Sequence, residues 1–184
     1  MGWREYVLTE ELVRWRLEIL LKSSDRWWIA FANPIAGPWK RLMGRNGDRI
    51  GEVHRFQRDS DRPDLVAVND LSQQVLIIEA KDQVAKLLIP AQIEKTSAVI
   101  TQVAAALAHQ KKHPYWGNRA EYEPIAGLLW GRPSGTRPVP PRSVTELYGA
   151  KLGGMSVVAF ETEQHRDGTL SSRQCDGSAP KLAL

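Results

Sequence analysis

Three side chains near the middle of the chain carry the means for chemistry. They are Asp64, Glu79 and Lys81, in the stretch RPDLVAVNDLSQQVLIIEAKD that runs from Arg62 to Asp82. Leu65–Val68 and Val75–Ile78 are short apolar runs, and Asn69-Asp70 opens the turn between them, so the stretch reads as a hairpin. In an antiparallel pair the start of one strand lies beside the end of the next. Asp64 and Glu79 therefore converge, and Lys81, two residues past Glu79, projects to the same face. Packing gives a core hairpin no reason to carry these charges. Two carboxylates at one point repel unless a hard cation lies between them. Oxygen ligands suit Mg²⁺ or Mn²⁺, and the Ala80 backbone carbonyl is placed to complete the set. Such a metal acidifies bound water and neutralises charge building on a phosphoryl oxygen, and a neighbouring lysine orients or deprotonates that water. The set is equipped for phosphodiester hydrolysis. The competing reading is a surface ion pair of Lys81 with Glu79 or Asp82 at the end of an ordinary hairpin.

Other elements must hold that hairpin. Thr9 reads as an N-cap before Glu10 and Glu11, opening a helix over 10–22. Its stripe is Leu12, Trp15 and Ile19, widened by Val13, Leu17, Leu20 and Leu21. Residues 26–32, RWWIAFA, read as a strand that ends at Asn33-Pro34, and 49–56 as a further short one. The apolar runs of the hairpin suit strands buried on both faces, as at the centre of an α/β sheet. Residues 83–89 are helical or irregular, and Pro90 suits the first turn of the longest helix, 91–110. Ile93, Ser97, Ile100, Ala104 and Leu107 stripe that helix, and its small residues allow close approach to a sheet. A buried strand at 124–130, a short helix at 143–148 and a last strand at 155–160 follow. A single domain over 1–160 is expected, with a polar, loosely ordered tail over 161–184.

Two loops carry positive charge. One spans 33–48 and holds Trp39, Lys40, Arg41 and Arg45; the other spans 131–142 and holds Arg132 and Arg137. Cations beside Gly and Pro suit contacts to nucleic-acid backbone and bases. For the first loop an ordinary basic surface is an equal reading.

The 184 residues carry a net charge of +4, a mild bias toward polyanions that decides little alone. The single cysteine, Cys175, excludes a disulfide framework or a cysteine zinc site within one chain. The first residues, MGWREYVLTEELVRW, hold no apolar run of a signal peptide, and no stretch is long enough to span a membrane. A reducing cytoplasm is the expected compartment. His109 and His113 are spaced i, i+4 but lack the glutamate of the zincin pattern, and read as charge at a helix end.

Pro63-Asp64, followed fifteen positions later by Glu79-Ala80-Lys81, with an apolar strand beside each acidic end, resembles the PD-(D/E)xK nuclease superfamily. The order of elements resembles that family's core too: helix, three strands, helix, strand. The resemblance covers the first helix through Trp130. It implies an α/β restriction-endonuclease-like fold with a central mixed β-sheet flanked by helices. It also implies a Mg²⁺-dependent deoxyribonuclease in which Asp64 and Glu79 bind metal and Lys81 positions the attacking water. Some members add a glutamate ahead of the aspartate; Glu52 is the first candidate here, then Glu11 and Glu18. The QxxxY motif of the exonuclease branches is absent, since Gln110 is followed by Lys111, Lys112, His113 and Pro114. The small type II restriction endonucleases are the nearest branch in size, acting on double-stranded DNA as homodimers or as the cleavage subunit of a heteromeric assembly. Holliday-junction resolvases and repair nucleases share the core. A nucleic-acid-binding module without chemistry, stacking bases on some of the seven tryptophans, is the reading from another class.

Overall fold

A chain with this alternation of apolar strands and amphipathic helices must stack helices on both faces of one sheet. The computed structural model does so. It describes residues 3–32, 41–43, 49–52, 62–109, 122–133, 135–175, 181, 182 and 184. The elements run α1 (Trp3–Ser23), β1 (Trp28–Ala32), β2 (Arg41–Met43), β3 (Arg49–Glu52), β4 (Leu65–Asn69), β5 (Gln74–Lys81), α2 (Val84–Leu87), α3 (Pro90–His109), β6 (Glu123–Arg132), α4 (Pro141–Lys151), β7 (Ser156–Gln164) and β8 (Leu170–Gln174).

Six strands form a mixed sheet in the order β1-β4-β5-β6-β7-β8, and β2 pairs β3 as a separate ribbon. The β4–β5 hairpin is antiparallel, with Leu65 opposite Ile78. Its turn is closed by the Asn69 side chain, which accepts the amide hydrogens of Leu71 and Ser72. β5, β6 and β7 run parallel, with α2 and α3 crossing from β5 to β6 and α4 from β6 to β7. The apolar runs of β4 and β5 are buried on both sides, as their sequence requires.

Each face has its own core. Val13, Leu17 and Leu21 of α1 pack on Leu65, Ala67, Leu76, Ile78, Leu129 and Phe160. Ile93, Val99, Ile100 and Val103 of α3, with Val144 and Tyr148 of α4, pack on Val66, Val68, Ile77, Leu128 and Ala159. Helix α3 begins at Pro90, where the missing amide hydrogen is not needed. Gly131 lets α1, β6 and the residue after β5 approach closely. A Cβ there would lie 2.7 Å from the Asp82 carbonyl oxygen and 3.0 Å from Val13 Cγ2.

Several elements differ from their expected form. Helix α1 starts at Trp3, so Thr9 is inside it and does not cap it. Its buried row is Val13, Leu17 and Leu21, while Leu12 and Trp15 stand 45% and 52% exposed. The strand expected over 49–56 is β3, which belongs to the ribbon and not to the main sheet. The strand and helix counts exceed a core of helix, three strands, helix and strand. The largest correction concerns the tail expected over 161–184, of which 161–175, 181, 182 and 184 are described. β7 continues to Gln164, and β8 adds an edge strand to the main sheet, where Thr162 and Ser172 share a hydrogen bond. Cys175, just past β8, is buried and donates its amide hydrogen to the Ala159 carbonyl. This segment is polar because an edge strand buries only one of its faces, and its alternating burial shows that. No helix among the described residues is long and apolar enough to cross a membrane.

Candidate active site

Antiparallel register brings Asp64 beside Glu79. The Asp64 amide hydrogen is donated to the Ile78 carbonyl at 3.0 Å, and Asp64 Oδ2 accepts the Ala80 amide hydrogen at 2.7 Å. Alternation along β5 sets Glu79 and Lys81 on the face of Val75 and Ile77, toward α3 and α4. Ala80 belongs to the opposite core, under α1. Lys81 ends the strand, and its ammonium meets three oxygens: Glu79 Oε1 at 2.9 Å, the Ala80 carbonyl at 2.9 Å and Glu10 Oε1 at 3.3 Å.

Glu10 joins this site without having been singled out for it. Counting back from the buried row Leu21, Leu17, Val13, it is the next residue on that helix face, so it heads the row that points at the sheet. Of the glutamates weighed for that role, Glu11 pairs with Arg14, and Glu18 pairs with Lys22 at 2.6 Å. Glu52 is paired in backbone register with Arg41 in the separate ribbon, so the structure does not bring it to Asp64 through the sheet.

Burial and crowding set the charges. Desolvation, then the neighbouring Glu79, push the Asp64 carboxyl up to about 7, against the pull of Lys81 and the Ala80 hydrogen bond. Burial also raises Glu79, although Lys81 and, more weakly, Lys95 on α3 oppose it. Glu10 is raised by burial as well, with Lys81 pulling the other way. Burial disfavours charge on Lys81, but Glu79, Asp64 and Glu10 together hold its pKa above that of a free lysine. Lys81 therefore stays an ammonium, a hydrogen-bond donor to the oxygens around it.

Two carboxylate oxygens, Asp64 Oδ1 and Glu79 Oε2, make no hydrogen bond or ion pair among the described residues. No group of three or more His, Cys, Asp or Glu side chains is arranged to hold a metal ion among those residues. Two carboxylates suit Mg²⁺ nonetheless, because it keeps several waters and is usually bound through one or two carboxylates and substrate phosphates.

Of the residues expected to meet nucleic acid, Trp39, Lys40 and Arg45 lie outside the described residues, and of Arg41 only the backbone, in β2, is described. His113 also lies outside them. Arg137 is exposed, on the segment between β6 and α4. Arg132 is held inside the fold, its Nε 2.9 Å from Glu161 Oε1 and its Nη2 2.5 Å from Glu163 Oε2.

Fold and site together define an α/β protein with a mixed six-stranded sheet, helices on both faces, and an acidic pair with a lysine at the end of a central strand. Compared with protein-family models, curated proteins and solved structures, the chain matches none.

Proposed function

We propose that this chain is a Mg²⁺-dependent DNA endonuclease, acting as a type II restriction endonuclease or as the cleavage subunit of a nuclease assembly. One observation carries the reading: Asp64, Glu79 and Lys81 stand together at one end of the β4–β5 hairpin, with a crowded acidic pair and a committed ammonium. The donor set fits a hard divalent cation. Asp64 and Glu79 would hold it, with the Ala80 carbonyl as a third oxygen; Mn²⁺ fits the same ligands. When bound, such an ion acts as a Lewis acid toward a phosphoryl oxygen and toward water.

The chain's own groups do the rest. Asp64 is fixed by the Ala80 amide, so its free oxygen is pre-aimed. Lys81 donates hydrogen bonds and offsets negative charge beside the phosphate. Glu10 and Glu79 hold that ammonium in place. The buried setting of Glu79 keeps bulk water from competing for it.

The test is digestion of supercoiled plasmid with Mg²⁺, comparing the parent with Asp64→Ala and Lys81→Met, followed by mapping of the ends. The parent should cut, chelation should stop it, and each variant should lose at least about 100-fold in rate. Discrete ends indicate restriction, and cutting confined to four-way junctions indicates a resolvase. An Asp64→Ala chain that cuts like the parent overturns the site.

A further inference from the structure

The three parallel strands end side by side, and a row of paired residues crosses that end. Lys81 lies opposite Trp130, Trp130 opposite Glu161, and Glu161 opposite Arg173 on β8. Glu161 is thus two strands from the site lysine, and it is only 2% exposed. A buried carboxylate must be paired, and one left unpaired near the catalytic end would repel a polyanion. Trp130 Nε1 donates to Glu161 Oε2 at 3.3 Å, and Arg173 Nη2 stands 3.6 Å from Glu161 Oε1. Arg132 does most of the neutralising, with Nε on Glu161 and Nη2 on Glu163. Its third nitrogen, Nη1, donates to the Thr136 carbonyl at 3.1 Å.

That last bond ties the sheet to the segment beyond it. Thr136 closes its own turn by donating its amide and hydroxyl hydrogens to the Pro133 carbonyl, at 3.3 and 2.7 Å. The next residue, Arg137, is exposed and makes no hydrogen bond or ion pair among the described residues. Two ion pairs and one hydrogen bond hold Arg132, whereas none holds the guanidinium of Arg137 among the described residues.

We propose that Arg132 is a positioning residue, which braces residues 135–140 at the catalytic end of the sheet so that Arg137 contacts a backbone phosphate of duplex DNA. The inference rests on the nuclease reading above and divides the roles of two arginines that the sequence presents alike.

The experiment measures binding of a labelled DNA duplex in EDTA across a range of NaCl concentrations, and cleavage kinetics in Mg²⁺. Arg137→Ala should weaken binding to all sequences alike and lower the salt slope by about 1. Arg132→Lys should bring the same loss, and the double variant should be no weaker than either alone, because the two act as one unit. In cleavage, KM should rise while kcat holds. Glu163→Gln is the second variant, useful should Arg132→Lys not fold. Removing a negative charge near DNA would by itself tighten binding; loss of a brace anchor weakens it. Additive losses, an unchanged salt slope for Arg137→Ala, or tighter or unchanged binding by Glu163→Gln overturns the inference. A parent that binds no duplex even at low salt overturns the nuclease reading with it; a parent that binds and cuts without the coupling overturns this inference alone.

Discussion

Asp64 Oδ2 accepts the amide hydrogen of Ala80 at 2.7 Å, so the first carboxylate of the site is pinned to the strand that carries the second. The bond runs from β5 to a side chain one residue ahead of β4, and any slip in hairpin register would break it. The geometry of the acidic pair and the strand pairing are therefore one property of this hairpin.

The charge state of Asp64 gives the first prediction. Its carboxyl is raised from 3.8 to about 7 in the fold. The folded chain thus holds more protons than the unfolded chain between those values, and stability falls as pH rises through that window. Asp64→Asn removes the penalty. It should nearly match the parent near pH 4 and exceed it at pH 8 by up to about 4 kcal/mol. Mg²⁺ should raise the melting temperature of the parent at pH 8 and leave that of Asp64→Asn nearly unmoved. Thermal melts at both pH values check this, and parallel pH profiles for the two chains would sink it.

Glu10→Gln tests the residue that α1 delivers. The fold should persist, because the substitution keeps length and a hydrogen-bond acceptor for Lys81. Cleavage should fall by about 10–100-fold, as when a group orienting a catalytic partner is lost. A variant that cuts at the parent rate would make Glu10 no more than an ion-pair partner.

Much of this was legible from residue types. The hairpin was, because strands buried on both faces must be apolar throughout, and charges at their ends then stand out. Helix α3 was, because Pro90 marks its start. Glu10 was not, for a physical reason. α1 carries two adjacent apolar rows, and helical period alone cannot say whether Leu12 and Trp15 or Val13 and Leu17 face the sheet. Only the second row leads back to Glu10. Glu52 sat on a plausible strand, but strand pairing is decided by tertiary contacts, and it joined the ribbon. β8 escaped because Leu170–Gln174 is polar, and a half-buried edge strand needs little apolar surface.

Gly131→Ala probes the tight junction beside the site. The added methyl group would press on the Asp82 carbonyl and on Val13, both backed by the core. Overpacking of this kind costs about 1–3 kcal/mol. A urea melt should show that loss, and cleavage should drop with it, since Val13 lies one helical turn from Glu10. Stability equal to the parent would mean that α1 shifts freely.

Ending the chain after Gln164 removes β8. A dispensable tail would leave the melt unchanged. An integral edge strand predicts a loss of several kcal/mol and a tendency to associate through the bared edge of β7. Circular dichroism melts and light scattering distinguish the two.

Cys175 is the chain's sole cysteine, and its thiol lies in the core at the point where β8 leaves the sheet. A thiol-directed reagent can reach it only when that margin of the molecule opens. The rate of labelling, followed against denaturant, is thus a clock for how often the far border of the sheet comes apart, read at one atom and with no added probe.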